Sequence, residues 1–200
     1  MMRRFAPPLT VALLLALPLA ACKEEVAQDT APIEYTDQTI GHYCQMNLSE
    51  HFGPKAQVHL EAIPDPLFFS QVRDAIAFSR APEQIAPILA IYVNDMGKPG
   101  TTWDDPGEGN WIAADQAWFV VGSDREGSMG APETVPFSTR DAADAFIATD
   151  GGEVLRLADI PDDMVLAPVD NLGLQTDTET DEADFESRLR ALSRQREAAE

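Results

Sequence analysis

Apolar and polar positions divide the chain into four stretches. From about Leu9 to Ala21 the residues are nearly all apolar and follow Arg3 and Arg4. This is the layout of an export signal, and about a dozen residues fall short of the roughly 20 needed to cross a bilayer as a helix. Residues 22–36 are polar and acidic without hydrophobic period and read as a flexible tether. Residues 37–170 hold most of the regular patterning. Ala56, Val58 and Leu60 alternate with polar residues as in a half-buried strand, while 88–93 and 117–121 are short apolar runs of the buried-strand type. Residues 154–157 form a weaker fourth strand. Ser70 and Ser138 stand where N-caps belong. The stripes Val72, Ala75, Ile76, Ser79 and Ala142, Ala143, Phe146, Ile147 then predict two helices. Residues 171–200 turn acidic again, with a narrow helical stripe of Phe185, Leu189 and Leu192 and an i,i+4 pair of Glu186 and Arg190.

The two helical stretches resemble each other. The segment opening Phe69-Ser70 and closing Ala77-Phe78 can be laid on the one opening Phe137-Ser138 and closing Ala145-Phe146. Each follows a strand pair, so an α+β domain built as two ββα units packed as a pseudo-repeat is expected.

The apolar leader ends on Leu19-Ala20-Ala21-Cys22. An aliphatic residue, two small ones and a Cys form the pattern cut by lipoprotein signal peptidase, which places lipid on Cys22 and the mature protein on the periplasmic side of a bacterial membrane. The formal charge is −20, and loss of residues 1–21, with Arg3 and Arg4, makes it −22. So acidic a chain is unsuited to nucleic acid, whose binding rests on neutralising phosphates. The sequence also lacks a Gly-x-Ser-x-Gly elbow, a Gly-rich phosphate loop and a His-Glu-x-x-His helix, so no enzyme class is indicated.

With Cys22 lipidated, Cys44 is the one remaining thiol. Alone in an oxidising compartment, it is an inert core residue, a nucleophile or a metal ligand, and composition does not choose among these. Its surroundings suggest metal chemistry. In an extended Gly41-His42-Tyr43-Cys44-Gln45-Met46, side chains 42, 44 and 46 would project to one side, offering imidazole, thiol and thioether together. Thiolate and thioether are the soft donors that favour Cu(I). Of the other methionines, Met96 follows a predicted buried strand, Met129 sits beside Gly130 in a loop, and Met164 reads as ordinary packing.

Several landmarks occur in order: the 19–22 lipobox, Cys44-Gln45-Met46, Tyr92-Val93-Asn94-Asp95-Met96, 117–123, Met129-Gly130, Val135-Pro136-Phe137 and Asp150-Gly151-Gly152. In these the chain resembles the NosL accessory lipoproteins of nitrous oxide reductase maturation. The resemblance implies a non-enzymatic Cu(I) chaperone with a fold similar to the organomercurial lyase core. Its implied partners are nitrous oxide reductase as recipient, a membrane copper exporter or other assembly factors, and the membrane through the lipid. It implies Cys44, Met46 and Met96 as copper ligands. His42, His51, Asp95 and Met129 are secondary candidates: His42 would complete the coordination sphere or form a second metal site, and Asp95 is equally suited to capping its turn. The family's usual Cys-Gly-Met carries Gln45 at its centre here, which predicts a looser turn. The contrasting reading is a docking or scaffold lipoprotein whose Cys44 is structural and binds no metal.

If Cys22 carries the anchor, Cys22→Ala releases the protein from membranes on fractionation and leaves Cu(I) uptake by the domain intact. Loss of uptake in that variant would mean that Cys22 rather than Cys44 supplies the metal-binding sulfur.

Overall fold

The computed structural model describes residues 27–167 and, in the C-terminal tail, residues 185, 187, 189 and 190. The leader, Cys22, the first residues of the expected tether and most of the tail lie outside the described residues. The tail positions that are described, Phe185, Ser187, Leu189 and Arg190, are helical, and Phe185 and Leu189 are exposed. Leu192 and the pairing partner Glu186 lie outside the described residues.

The chain forms β1 (Ala56–Leu60), β2 (Leu67–Phe69), α1 (Val72–Arg80), β3 (Ile88–Asn94) and β4 (Trp111–Ala113). It continues through β5 (Trp118–Val121), β6 (Val135–Phe137), α2 (Arg140–Asp150), β7 (Glu153–Arg156) and the short α3 (Asp162–Leu166). The first sheet runs β2-β1-β3-β4 and the second β6-β5-β7, with antiparallel pairings in both. Each unit is thus a hairpin, a helix and a return strand beside the hairpin's first strand, one strand more than the ββα expected, and the first unit adds β4 as well. The repeat also holds in detail, because Phe69 and Phe137 each end the second hairpin strand, three residues before a helix begins.

The apolar run of β5 explains how the units join. Successive side chains of a strand point to opposite faces. Phe119 and Val121 enter the large core with Val58, Leu60, Phe69, Ile76 and Val93 from the first unit. Val120 faces the other way, into a smaller cluster with Val135, Phe137 and Ala143. Phe119 is 0% exposed, so truncation to alanine would remove about 3–5 kcal/mol.

Four expectations are corrected. The strand at Ala56–Leu60 is buried on both faces rather than half-buried, because the segment before the domain covers its outer side. Gln57 exchanges both hydrogen bonds with the Ile33 backbone at 3.0 Å, and Gln28 donates to the carbonyls of Leu60 and Ile63 at 2.9 Å. The stretch expected as a tether through residue 36 is therefore tied to the sheet from Gln28 on. The helix N-caps are Gln71 and Thr139 instead of Ser70 and Ser138. Thr139 accepts from Ala142 N–H, whereas Gln71 makes no side-chain cap. The two serines are engaged elsewhere: Ser70 turns to Cys44, and Ser138 N–H donates to Asp95 Oδ1. Met164, read as ordinary packing, is 42% exposed on α3.

Covering β1 buries a histidine. His59 is 2% exposed, with Nε2 3.0 Å from Gln57 Oε1 and Nδ1 buried without a partner. Since Gln57 Oε1 accepts, Nε2 carries the proton and Nδ1 is bare. Burial holds the His59 pKa below its ordinary 6.5, opposed by the nearby Asp29. The unfolded chain therefore takes up the proton first as pH falls through about 6.5, so this contribution to stability is complete above that pH and declines below it. The urea midpoint should fall between pH 7.5 and 5.5, and His59→Gln should show a smaller fall. An equal fall in both proteins would exclude His59 as a source of the acid sensitivity.

Candidate functional site

The segment 41–46 is a closed turn and not the extended strand that would align His42, Cys44 and Met46. Ile40 bridges to Asn47, Gly41 N–H donates to Met46 O at 2.9 Å, and Gln45 N–H donates to Gly41 O at 2.9 Å. Leu48 N–H donates to Thr39 O, and the fully buried Leu48 roots the hairpin in the protein. Gln45 takes the left-handed conformation, φ 55°, which is natural for glycine and costs other residues about 1–2 kcal/mol. The turn thus stays closed with Gln45 in place, and the Gln45 side-chain amide donates to the carbonyls of Gly41 and His42. Gly41 has a different reason to be glycine: a Cβ there would lie 2.5 Å from Cys44 Sγ.

The partly exposed thiol at the tip of this turn is met from three sides. Ser70 Oγ, at the mouth of α1, donates to Cys44 Sγ at 3.6 Å. His51 Nε2 lies 3.7 Å from the sulfur, and Met46 O lies 4.0 Å away. His51, 7% exposed, is itself held by Ser128 Oγ, 2.8 Å from Nδ1. When Nδ1 donates to that hydroxyl, the Nε2 lone pair is left facing the thiol. Burial lowers the His51 pKa, and the nearby Lys55 adds to this against the pull of Glu50, so the neutral, ligating form is favoured.

Other sequence candidates occupy distinct places. The His42 ring packs 5.5 Å from those of Tyr43, Phe69 and Phe78. Met46 is 45% exposed beside the thiol, and Met129 is 42% exposed next to Ser128. Met96 lies on the turn after β3, against the smaller core, with its N–H donating to Pro136 O. Asp95 Oδ1 accepts from Gly97 N–H at 2.9 Å and Ser138 N–H at 3.0 Å, capping its turn and tying it to the second unit. Among the described residues no three His, Cys, Asp or Glu side chains converge as a metal-binding group.

Sequence reasoning missed Ser70, Ser128 and two buried titratable residues, Lys55 and Glu133. Lys55 is 1% exposed, and its ammonium donates to the carbonyls of Phe52 and Gly53. Burial lowers its pKa to about 8. Glu133 is 2% exposed, and burial pushes its carboxyl up to about 8 against the opposing backbone N–H groups of Arg73 and Thr134. Each charge partly offsets the cost of burying the other. No local motif marks Ser70, Ser128 or Glu133, whose contacts with Cys44, His51 and Arg73 are distant in sequence.

The structure is thus an α+β domain of paired hairpin–helix–strand units with one partly exposed thiol that meets an imidazole and a hydroxyl. The NosL family model matches residues 32–165. The chain is 64% identical over 182 residues to the copper-binding lipoprotein NosL of Achromobacter cycloclastes, covering 91% of this chain and 92% of that protein. It is 33% identical over 153 residues to the copper-binding lipoprotein NosL of Stutzerimonas stutzeri, covering 75% and 77%. The crystal structure of the copper chaperone NosL from Shewanella denitrificans superposes with a TM-score of 0.61 at 32% identity, covering 65% of this chain and 95% of that one. The chain belongs to the NosL family.

The crowding at Gly41 is testable without metal. Gly41→Ala should push the Cys44 thiol from its pocket and raise its rate of reaction with a thiol reagent. Gln45→Gly, which trades left-handed strain against lost side-chain hydrogen bonds, should change stability by under about 1 kcal/mol and leave that rate nearly unchanged. Unaltered reactivity in Gly41→Ala would show that the thiol can be accommodated elsewhere.

Proposed function

We propose that this chain is a non-enzymatic Cu(I) carrier, anchored by lipid on Cys22 at the periplasmic side of a bacterial membrane, that delivers copper to nitrous oxide reductase during maturation of its copper centres. The observation that carries the reading is the lone Cys44 thiol with the His51 Nε2 at 3.7 Å, on a turn that also bears Met46. Its similarity to a copper-binding lipoprotein and to a copper chaperone supports it.

Cys44 is the anionic donor of the proposed site. Its proton leaves as the cargo ion binds, so affinity rises with pH until the thiol is fully ionised. Met46 and Met96 supply thioethers, which do not compete for protons at ordinary pH. His51 supplies a neutral nitrogen held in place by Ser128, and Met129 stands beside that serine. Met96 must reach the sulfur from the turn after β3, so it is the ligand whose engagement requires movement. A site with few donors on exposed turns leaves room for an incoming thiolate or imidazole, as ligand exchange to a recipient requires. Storage would call for many clustered thiols. A membrane copper exporter is the natural source of cargo for a protein held at the same surface.

Competition with a Cu(I) chelator under reducing conditions tests the site. The parent should hold one ion per chain, and Cys44→Ser should weaken binding by more than about 100-fold, beyond the ~10–100-fold typical of losing an outer-sphere partner. Met46→Leu and Met96→Leu should weaken it less. Equal affinity of Cys44→Ser and the parent would favour a docking lipoprotein with a structural cysteine. Delivery is read from the copper content of copper-free reductase after mixing: the loaded chain should fill it faster than Cu(I) buffered at the same activity.

A further inference from the structure

The residues around Cys44 come from two halves of the molecule, and one side chain joins those halves directly behind the site. Ser70 and α1 belong to the first unit, whereas Ser128, which holds His51, belongs to the loop between β5 and β6. That loop is closed on itself: Glu126 bridges to Pro132, Gly127 N–H donates to Ala131 O at 2.8 Å, and Gly130 N–H donates to Gly127 O at 2.9 Å. Such a loop moves as a body, so whatever fixes its base also fixes Ser128.

At its base stands Glu133. Its N–H donates to Arg125 O at 2.9 Å, closing the loop from the other side. Its Oε1 accepts Thr134 N–H at 2.9 Å and, across the molecule, Arg73 N–H at 3.1 Å in the first turn of α1. Because Gln71 makes no side-chain cap, Glu133 Oε1 accepts in its place and caps that helix from the opposite unit. Gln71 spans the same junction, its amide 3.5 Å from Ala131 O. The fit at Gly127 is close: a Cβ there would lie 1.8 Å from Gln71 Nε2 and 2.8 Å from Glu133 Oε2. A chain of contacts therefore runs from Glu133 through the start of α1 to Ser70 and Cys44, and another from Glu133 through the loop to Ser128, His51 and the same sulfur.

We propose that Glu133 is the positioning residue of the site: by capping α1 from the β5–β6 loop, it sets the distance between the Ser128-held His51 and Cys44. Glu133 touches no cargo. It acts through the loop and through the first turn of α1. The proposal rests on the reading of Cys44 and His51 as metal-binding, and its first readout needs no metal.

The experiment compares the full-length protein, purified in detergent, with Glu133→Ala, Glu133→Asp and Glu133→Gln. In the metal-free state, nitrogen-15 NMR of the His51 ring reports its hydrogen bond to Ser128. That resonance should shift in Glu133→Ala and Glu133→Asp, whose side chains no longer reach Arg73 N–H, and remain in Glu133→Gln, whose carbonyl oxygen can. Cu(I) affinity should fall about tenfold in the first two and return in the third, the lower end of the effect of outer-sphere losses. X-ray absorption of the loaded form should lose its nitrogen contribution while keeping its sulfur. If Glu133→Ala does not fold, the Asp and Gln variants decide between the outcomes. A parent-like His51 resonance and parent-like affinity in Glu133→Asp would overturn the proposal. Failure of the parent itself to hold Cu(I) would instead overturn the function proposed above, while the metal-free resonances would still test the positioning role.

Discussion

The arrangement depends on one interface, the packing of β5 against the core of the first unit. Phe119 and Val121 lie with Val58, Leu60, Phe69 and Ile76 in one continuous buried cluster. Neither unit has a second layer large enough to cover its own sheet. The first has α1 on a four-stranded sheet, and the second has α2 on three short strands. Joined through β5, the second sheet lays the face that α2 leaves open on the core beneath α1, and the other face of β1 is covered by the segment of Gln28 and Ile33. Three-residue strands such as β2, β4 and β6 would be marginal alone and are held here by what packs on them.

The candidate site is a by-product of that joining. Cys44 and His51 lie ahead of β1, Ser70 opens α1, and Ser128 belongs to the second hairpin. Their meeting requires the two sheets to be at a fixed spacing. Burying Glu133 and Lys55 at this junction is costly, and a well-packed apolar pair would often be at least as stable. Glu133 nevertheless ties the β5–β6 loop to the first turn of α1. The exposed Met46 and Met129 present polarizable sulfur at a surface that the buried residues keep rigid.

The turn at Cys44 combines opposite demands. Its backbone is locked by Leu48, by the Gly41–Met46 hydrogen bond and by the left-handed Gln45, yet its sulfur stays partly open. A thiol fully buried in a strand would be inert, and one on a mobile loop would be oxidised easily. A closed turn with glycine where the sulfur needs space lies between these extremes.

Sequence pattern alone determined the elements whose signal is local. The two helices, the apolar strands at 88–93 and 117–121, the repeat of Phe-Ser before each helix and the singular status of Cys44 all follow from periodicity and counting. The order of landmarks placed the chain beside its family before any coordinate. What only the tertiary structure decided depends on partners far away in the chain. Ser70 looks like a cap because serine at such a position usually is one; it turns to the sulfur because Glu133, more than sixty residues on, already serves the helix N-terminus. His42 and His51 are equivalent in sequence, and long-range packing sends one among aromatic rings and the other to the thiol. Gln57 and His59 read as the wet face of a strand until residues 28–35 fold over them. Hydrophobic period records which face is apolar, but it cannot record which distant segment covers a polar face, since that covering is chosen by the closure of the whole fold.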